Sequence, residues 1–352
     1  MSLTQEEKRR RPLDELSAID HLRERGLLGA TEQATLEPAG DGNINWVRRV
    51  RCADGRSFIL KQAREQLERF PEYRVDTKRI LIESAWLELA RPLDVDGCCP
   101  QVLDFCAEAR VLVLEDLGEV PRLDDELGRE TDLNPALAKI GALLGRVHNV
   151  TRGDGSLHTR FANQEMRELH FTHIFDLPFA ENDFPLPEPV REAARILRGD
   201  AKLLARIAAI ARRCRENHEV LLHADPQPGN ILLTKTGPKL LDAEIAHIGN
   251  PAFDPGNLLG HLALAGIARA DDTLLRLRAR ALWDAYSAAQ PADQVPAFDE
   301  VAGLAAIEML RRTIGAARVA ATSEVPASLT AIDTARGWLD HPPASPEALE
   351  IT

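Results

Sequence analysis

The stretch HADPQPGN, residues 223–230, joins two apolar runs and decides how the rest of the chain is interpreted. Asp225 and Asn230 stand five residues apart, with two prolines and a glycine between them. In kinase catalytic loops an aspartate accepts the proton of the substrate hydroxyl, and an asparagine five residues later binds the metal. The stretch therefore indicates a phosphoryl-transfer loop with Asp225 as its catalytic residue, and we expect His223 to brace the loop by hydrogen bonds.

Two carboxylates follow in LLDAEIA, residues 240–246, where Asp242 stands twelve residues after Asn230 and two before Glu244. On an extended segment, side chains two residues apart face the same side. Two carboxylates on one side repel each other unless a cation lies between them. With the amide oxygen of Asn230 they form the hard-oxygen set that Mg²⁺ prefers. We therefore expect Asn230, Asp242 and Glu244 to bind Mg²⁺.

Each of these residues also has an ordinary explanation when it is taken alone. Asp-Pro and Pro-Gly pairs form turns, and a single aspartate or asparagine in a loop is more often a turn residue than a catalyst. The prediction of chemistry depends on all four residues at these offsets between apolar segments.

A lysine and a glutamate upstream predict an anchor for the nucleotide. Lys61 ends the β-prone run FILK, and Glu83 lies in the helix-like segment that follows it. In kinases a strand lysine reaches the α- and β-phosphates while a helix glutamate holds it as an ion pair. The alternative is a solvated lysine at a strand edge, which would be favoured if Glu83 were absent.

Two further segments are candidates for nucleotide and substrate contacts. The loop AGDGNIN, residues 39–45, precedes a hairpin signal at Asp54-Gly55, and its glycines would let the backbone approach phosphates. The strand VLVLED, residues 111–116, is expected to offer backbone groups to an adenine, on chain order alone. The expected cofactor-binding residues are Lys61, Glu83, Gly40, Asp41, Gly42, Asn43, Glu115 and Leu117, and Asn45 is expected to contact the substrate.

The order of elements predicts an α+β, two-lobed fold. Strand-like runs with one helix occupy the first third, and from Pro135 onward most segments have helical spacing. We predict a tail and helix over residues 1–30, a small β-rich N-lobe over 31–116, and a larger, mainly helical C-lobe over 117–352.

Composition and net charge argue against some classes of binding partner. The 352-residue chain has a net charge of −12, which argues against nucleic-acid binding. It has neither the apolar segment of a signal peptide nor an unbroken apolar run of membrane-spanning length, so a cytoplasmic protein without membrane contact is expected. Five cysteines without CxxC spacing favour reduced thiols over a disulfide framework or a zinc site.

Taken together, GDGNIN, FILKQA, RILIESAWL, VLVLEDL, HADPQPGN and LLDAEIA resemble the aminoglycoside-phosphotransferase-like small-molecule kinases, which share the protein-kinase-like fold. Within that superfamily the chain is most similar to the methylthioribose kinases, through GDGN-x-N followed by KQA. The segment EMLRRTIGAARVA, residues 308–320, resembles the paired-arginine helix of that family. The resemblance covers residues 37–320.

The resemblance implies ATP- and Mg²⁺-dependent phosphorylation of the 1-hydroxyl of methylthioribose, a step of methionine salvage, by a homodimeric enzyme. Asp225 matches the catalytic aspartate, Asp242 and Glu244 the metal carboxylates, and Lys61 the phosphate-binding lysine. Arg311 and Arg312 match the paired arginines near the sugar and the transferred phosphate, a task suited to forked, permanently charged donors.

Two departures and three alternatives accompany this interpretation. Ala224 stands where the family keeps glycine, and residues 65–75 lack the tryptophan of a family loop that covers the substrate. The chain could phosphorylate another small alcohol, such as a 5-deoxypentose, an aminoglycoside or a choline-like compound, or be a nucleotide-binding pseudokinase. A metal-dependent hydrolase using His223 and Asp225 would need further histidine ligands.

Overall fold

The structure is a computed structural model that describes residues 11–40, 45–66 and 74–352. The chain forms two compact units. The first lies within residues 1–88 and 99–119, and the second comprises residues 89–98 and 120–352.

The first unit is built on an antiparallel sheet. Its strands in the described residues are β1 (Ala34–Pro38), β2 (Trp46–Cys52), β3 (Ser57–Gln62), β4 (Val102–Cys106) and β5 (Val111–Glu115). Its helices are α1 (Glu15–Glu24) and all but the last two residues of α2 (Arg79–Ala90). The strand order is β1-β2-β3-β5-β4. The hairpin predicted at Asp54-Gly55 joins β2 to β3, and Gly55 has the positive φ of +89° that such a turn favours. The edge strand β1, whose residues are half-buried or exposed without regular alternation, was not predicted.

The alternation along β3 determines where its lysine points. Phe58 and Leu60 are buried in an apolar cluster that also contains Val111 and Val113 of β5. Because successive side chains of a strand point to opposite faces, Lys61 lies on the other face of the sheet from Phe58 and Leu60. Lys61 is 4% exposed there, so it is not a solvated edge residue.

The second unit is mainly helical. Its helices in the described residues are α3 (Leu123–Leu127), α4 (Asn134–Thr151), α5 (Leu157–Arg160), α6 (Gln164–Phe171), α7 (Glu188–Gly199), α8 (Ala201–Glu216), α9 (Phe253–Arg269), α10 (Asp272–Ala288), α11 (Phe298–Ile314) and α12 (Val325–Asp340). A π-helix, Thr172–Asp176, follows α6. Two short antiparallel pairs complete the unit: β6 (Val220–Leu222) with β9 (His247–Gly249), and β7 (Ile231–Thr234) with β8 (Gly237–Leu240).

Two glycines of α9 permit its close contact with α11. In α9, a Cβ on Gly256 would lie 2.7 Å from the Leu304 Cβ, and a Cβ on Gly260 would lie 2.9 Å from both the Ala305 carbonyl oxygen and the Glu308 Cβ. Only glycine therefore permits this approach of α9 to α11. The contact places Glu308 directly against α9.

The predicted α+β class, with a β-rich part and a larger helical part, is confirmed by these elements. Within the part of the chain that the structure describes, every helix is too short or too polar to cross a membrane.

Candidate active site

The loop HADPQPGN connects the end of β6 to the start of β7. Pro228–Asn230 form one turn of 3₁₀ helix, and Pro228 stands at its beginning, where a missing N–H has no cost. The Asn230 carbonyl accepts a hydrogen bond from the Leu241 N–H at 2.9 Å, which ties this loop to the LLDAEIA segment. The two candidate segments of the sequence thus lie side by side in the second unit.

A buried aspartate from α9 holds the start of the loop. Asp254 is completely buried, and its Oδ2 and Oδ1 accept the backbone N–H groups of His223 and Ala224, both at 2.8 Å. The Nε2 of His148 lies 3.1 Å from the same Oδ2. Burial alone would raise the pKa of Asp254, but the bonds from His148 and the backbone outweigh it and the pKa is lowered. Asp254 is therefore a charged anchor for the two residues that precede Asp225.

Ala224 adopts the left-handed backbone conformation that glycine favours. Its φ is +70° and its side chain is fully buried. Left-handed conformations cost an L-residue roughly 1–2 kcal/mol because Cβ crowds the following carbonyl oxygen. The family's glycine at this position has that physical reason, and in this chain the hydrogen bond to Asp254 helps to hold the strained residue.

The two oxygens of the Asp225 carboxylate differ in their hydrogen bonds. Oδ2 accepts hydrogen bonds from Nε2 of Gln227 and Nδ2 of Asn230, both at 3.0 Å. Oδ1 is buried and has no hydrogen-bond partner among the described residues. Burial raises the pKa of Asp225, against the opposing charges of Arg312 and Arg311. A buried acceptor oxygen with a raised pKa is suited to take a proton from a bound hydroxyl.

The predicted arginine pair is centred on a buried glutamate of α11. Glu308 accepts from Nη1 of Arg311 at 2.9 Å and from Nε of Arg312 at 2.6 Å. Burial would raise the pKa of Glu308, but the two guanidinium groups outweigh it and hold the pKa well below its ordinary value. Burial lowers the pKa of His261, which lies 3.3 Å from Glu308, to about 4. Arg311 and Arg312 are therefore fixed in place and are not a solvated pair.

Gln227 connects the arginines to the carboxylate. Nη2 of Arg312 donates to Oε1 of Gln227 at 2.7 Å, and Nε2 of Gln227 donates to Oδ2 of Asp225. Arginine has only donors and an ionised carboxylate only acceptors, so the chemistry of the two neighbours fixes the orientation of the amide. A continuous hydrogen-bonded chain runs from Glu308 through Arg312 and Gln227 to Asp225.

The three predicted metal ligands lie in two adjoining segments. The side-chain nitrogen Nδ2 of Asn230 donates to the backbone oxygen and to Oδ2 of Asp225. The side-chain oxygen of Asn230 takes part in neither of these two bonds. The premise that Asp242 and Glu244 lie on an extended segment is wrong. Asp242 is left-handed, with φ 65° and ψ 49°, and Ala243–Ile245 form a 3₁₀ turn, so strand alternation cannot place the two carboxylates on one side. Their role as metal ligands stays a prediction based on donor chemistry.

A different acidic group, in the first unit, is occupied by an arginine. Ligand atoms of Glu32, Cys52 and Asp54 lie within 4.8 Å of one another. Arg56 bridges its two carboxylates, at 2.7 Å from Glu32 and 2.6 Å from Asp54. The guanidinium supplies the positive charge there, so this group is better explained without a metal.

The lysine and glutamate that are predicted to anchor the nucleotide form an ion pair in the first unit. Nζ of Lys61 lies 2.8 Å from Oε2 of Glu83, and both side chains are buried. Asn45 is also buried, and its side-chain oxygen accepts a hydrogen bond from Nε of Arg79 at 3.1 Å. That bond gives Asn45 a structural partner within its own unit, and its predicted contact with substrate stays a prediction.

The remaining predicted nucleotide contacts are only partly described. Gly40 has the φ of +65° expected of a glycine turn. The Glu115 N–H donates to the Gln101 carbonyl at 2.9 Å, so that N–H is not available to an adenine. Leu117 is half-buried just after β5. Asp41, Gly42 and Asn43 lie outside the described residues.

Three residues at the site were missed by the sequence prediction. Glu308 stands three and four residues before the arginines on one helix, a spacing that favours ion pairs and could have identified it. Gln227 lies inside the HADPQPGN loop itself, but no motif names the residue at its position. Asp254 follows a loop in an apolar context, and nothing in the local pattern relates it to His223.

Comparison with known proteins fits this geometry. The model of the phosphotransferase enzyme family matches residues 35–298, three quarters of the chain. The chain belongs to that family. The resemblance drawn from its motifs is thereby confirmed, as is the predicted class of enzyme, a phosphotransferase.

The chain is also similar to curated relatives over most of its length. It is 29% identical to a methylthioribose kinase of Bacillus velezensis, with 85% of this chain and 83% of that protein covered. It is 28% identical to a methylthioribose kinase of Exiguobacterium sibiricum, with 91% and 89% covered.

Solved structures share the fold at low identity. An ethanolamine kinase of Plasmodium vivax has a TM-score of 0.53 at 11% identity, with 90% of this chain and 86% of that chain covered. A spectinomycin phosphotransferase, solved with ADP and spectinomycin, has a TM-score of 0.52 at 10% identity, with 96% and 100% covered. These likenesses confirm the predicted kinase-like fold.

Proposed function

We propose that the protein is an ATP-dependent kinase that phosphorylates the 1-hydroxyl of methylthioribose. The observation that carries the proposal is the Asp225 carboxylate, which has one oxygen held by two amide donors and the other buried without a partner among the described residues. The curated relatives named methylthioribose kinase support the choice of acceptor.

Asp225 acts as the acceptor of the hydroxyl proton. The oxygen of the sugar 1-hydroxyl forms a bond to the γ-phosphorus of ATP, while the bond from that phosphorus to the bridging oxygen of ADP breaks. The hydroxyl proton moves to Asp225. Because phosphoryl transfer needs little covalent help, the main work of the protein is to position the hydroxyl and to stabilise charge.

The residues available for a metal fit Mg²⁺. Asn230, Asp242 and Glu244 offer oxygen ligands only, and the amide nitrogen of Asn230 is already engaged by Asp225, which leaves its oxygen as the ligand atom. Bound Mg²⁺ would neutralise phosphate charge during the transfer. Lys61, held by Glu83, is proposed to contact the phosphates of ATP.

The arginine pair favours an uncharged, hydroxyl-rich acceptor. Arg311 and Arg312 carry two positive charges close to Asp225, and the carboxylates of Glu308 and Asp225 together balance them. A polycationic aminoglycoside or a choline would find no surplus of negative charge in this cluster, whereas a sugar can accept hydrogen bonds from guanidinium groups.

The first experiment measures ADP formation with methylthioribose, deoxyribose, choline and kanamycin as acceptors, in the presence of ATP and Mg²⁺. We expect stimulation by methylthioribose and a sugar 1-phosphate as the product, identified by ³¹P and ¹³C NMR. Stimulation by choline or kanamycin alone would refute the proposed acceptor. ATP binding without consumption by any acceptor would support a pseudokinase instead.

The second experiment tests the role of Asp225. Asp225→Asn should lower kcat by about 10²–10⁴-fold, the contribution of general-base catalysis, while calorimetry detects ATP binding close to that of wild type. Asp333→Asn, at an exposed position on α12, is the matched control and should leave kcat unchanged. Turnover near the wild-type rate in Asp225→Asn would refute the assignment.

The predicted homodimer and cytoplasmic location accompany this proposal as predictions. Light scattering coupled to gel filtration would measure the oligomeric state directly. A single species with the mass of the 38.8 kDa monomer would contradict the dimer.

A further inference from the structure

Gln227 makes a contact that catalysis by Asp225 alone does not require. Its side chain lies between Arg312, at 2.7 Å, and Asp225, at 3.0 Å, and each of its two polar ends meets one of them. Arg312 is itself fixed by Glu308 at 2.6 Å, and both are buried in the second unit. The position of Gln227 is therefore set by a rigid donor on one side and by the carboxylate on the other.

The two bonds divide the carboxylate into unequal oxygens. Oδ2 accepts from Gln227 and from Asn230, and Oδ1 accepts from no described residue. Because a carboxylate rotates easily about its last bond, one donor would leave it free to exchange its oxygens. Two amide donors on the same oxygen, each held from elsewhere, fix the rotation.

We infer that Gln227 is a positioning residue that transmits the fixed geometry of Arg312 to Asp225, so that Oδ1 is the oxygen that receives the substrate proton. The inference rests on the proposed function, since it assigns a proton acceptor within that mechanism. Gln227 touches neither proton nor phosphate in this scheme and acts only through the carboxylate.

The chemistry of the relay selects the test variants. The relay needs an acceptor toward Arg312 and a donor toward Asp225. Gln227→Leu removes both, Gln227→Glu keeps the acceptor but replaces the donor with a repelling carboxylate, and Gln227→His supplies one acceptor and one donor nitrogen. Gln164→Leu, at an exposed position on α6, is the matched control.

Steady-state kinetics with ATP and the best acceptor distinguish positioning from a structural role. We expect Gln227→Leu and Gln227→Glu to lower kcat about 10- to 100-fold, the size that follows from losing one charge-assisted hydrogen bond on a reacting group. The KM for ATP should stay within about twofold, and Gln227→His should recover most of the lost kcat. A wild-type kcat in both Gln227→Leu and Gln227→Glu, or a Gln227→His no better than Gln227→Leu, would overturn the inference.

A thermal double-mutant cycle tests the same contact without any substrate. Gln227→Leu should lower Tm by about 2–4 °C in the wild-type background and by less than half as much when Asp225 is already alanine. Equal shifts in the two backgrounds would overturn the inference. If no acceptor stimulates ADP formation, the proposed function fails, and this cycle alone decides whether Gln227 and Asp225 are coupled.

Discussion

Asp254→Asn is expected to disturb the HADPQPGN loop more than any change of similar size at the surface. The substitution keeps the shape of the side chain but turns one of its two acceptor oxygens into a donor. In the structure Oδ2 accepts the His223 N–H and Oδ1 accepts the Ala224 N–H, each at 2.8 Å. Whichever way the new amide turns, its NH₂ group faces a backbone N–H that is buried and has lost its acceptor.

The magnitude follows from these bonds. An unsatisfied buried donor costs about 1–3 kcal/mol, and the bonds that remain lose their charge-assisted character, worth about 1 kcal/mol each. Release of the buried charge offsets part of this cost. We expect a net loss of about 3 kcal/mol, which corresponds to a decrease in Tm of about 6–12 °C on the scale of a domain of this size.

The assay combines differential scanning calorimetry with steady-state kinetics. Asp333→Asn, with an exposed side chain, is the control and should change Tm by no more than about 1 °C. In Asp254→Asn we also expect a lower kcat, because His223 and Ala224 immediately precede the proposed catalytic residue. A Tm within about 2 °C of wild type would refute the reasoning that Asp254 is a charged anchor.

Three further predictions concern other parts of the chain. Lys61→Met should raise the KM for ATP, and it should lower Tm because it removes a buried positive charge from beside the buried Glu83 carboxylate. A change in neither KM nor Tm would refute the ion pair as the nucleotide anchor. Burial lowers the pKa of His247 to about 4, below the ordinary 6.5, so its contribution to stability is complete above pH 6.5 and is lost as pH falls toward 4. The free energy of unfolding, measured with urea, should therefore fall less between pH 7 and pH 4 in His247→Phe than in the wild type, by up to about 3 kcal/mol. Identical pH profiles of the two proteins would contradict this. Ala224→Gly relieves strain at φ +70° but removes a buried methyl and adds freedom to the unfolded chain, so we expect the free energy of unfolding to change by less than about 1 kcal/mol. Ala224→Val should lower the free energy of unfolding, measured by urea denaturation, by more than about 3 kcal/mol. Equal effects of the two substitutions would be inconsistent with a left-handed Ala224.

Local patterns in the sequence were sufficient where neighbours in the chain determine the structure. The hairpin at Asp54-Gly55 depends on turn chemistry between two β-prone runs. The ion pair between Lys61 and Glu83, twenty-two residues apart, was predicted instead from the kinase pattern of a strand lysine and a helix glutamate. The extended conformation predicted for Asp242 is wrong, because Asp242 is left-handed and precedes a 3₁₀ turn. No glycine or proline in this segment indicates such a turn in the sequence.

The parts that could not be predicted depend on contacts between residues far apart in the chain. Asp254 binds the backbone of His223, thirty-one residues away, and Gln227 meets Arg312 at a separation of eighty-five residues. No periodicity or motif encodes such pairs, since each residue alone would pass for a turn residue or a surface side chain. Only the packing of the helices determines that they meet.

Helix α9 connects these distant contacts physically. Its first turn carries Asp254, which fixes the backbone before Asp225, and two turns later it carries His261, which lies beside Glu308. Gly260 lies between these two residues of the helix. A Cβ on Gly260 would lie too close to the Cβ of Glu308, so only glycine lets the Glu308 side chain pack there. Helix α9 therefore helps to set both the position of the HADPQPGN loop and the position of Glu308, whose partner Arg312 reaches that loop through Gln227. A substitution that moves α9 relative to α11, such as Gly260→Ala, should alter the carboxylate and the arginine pair together, because the two are built on the same surface of the helix.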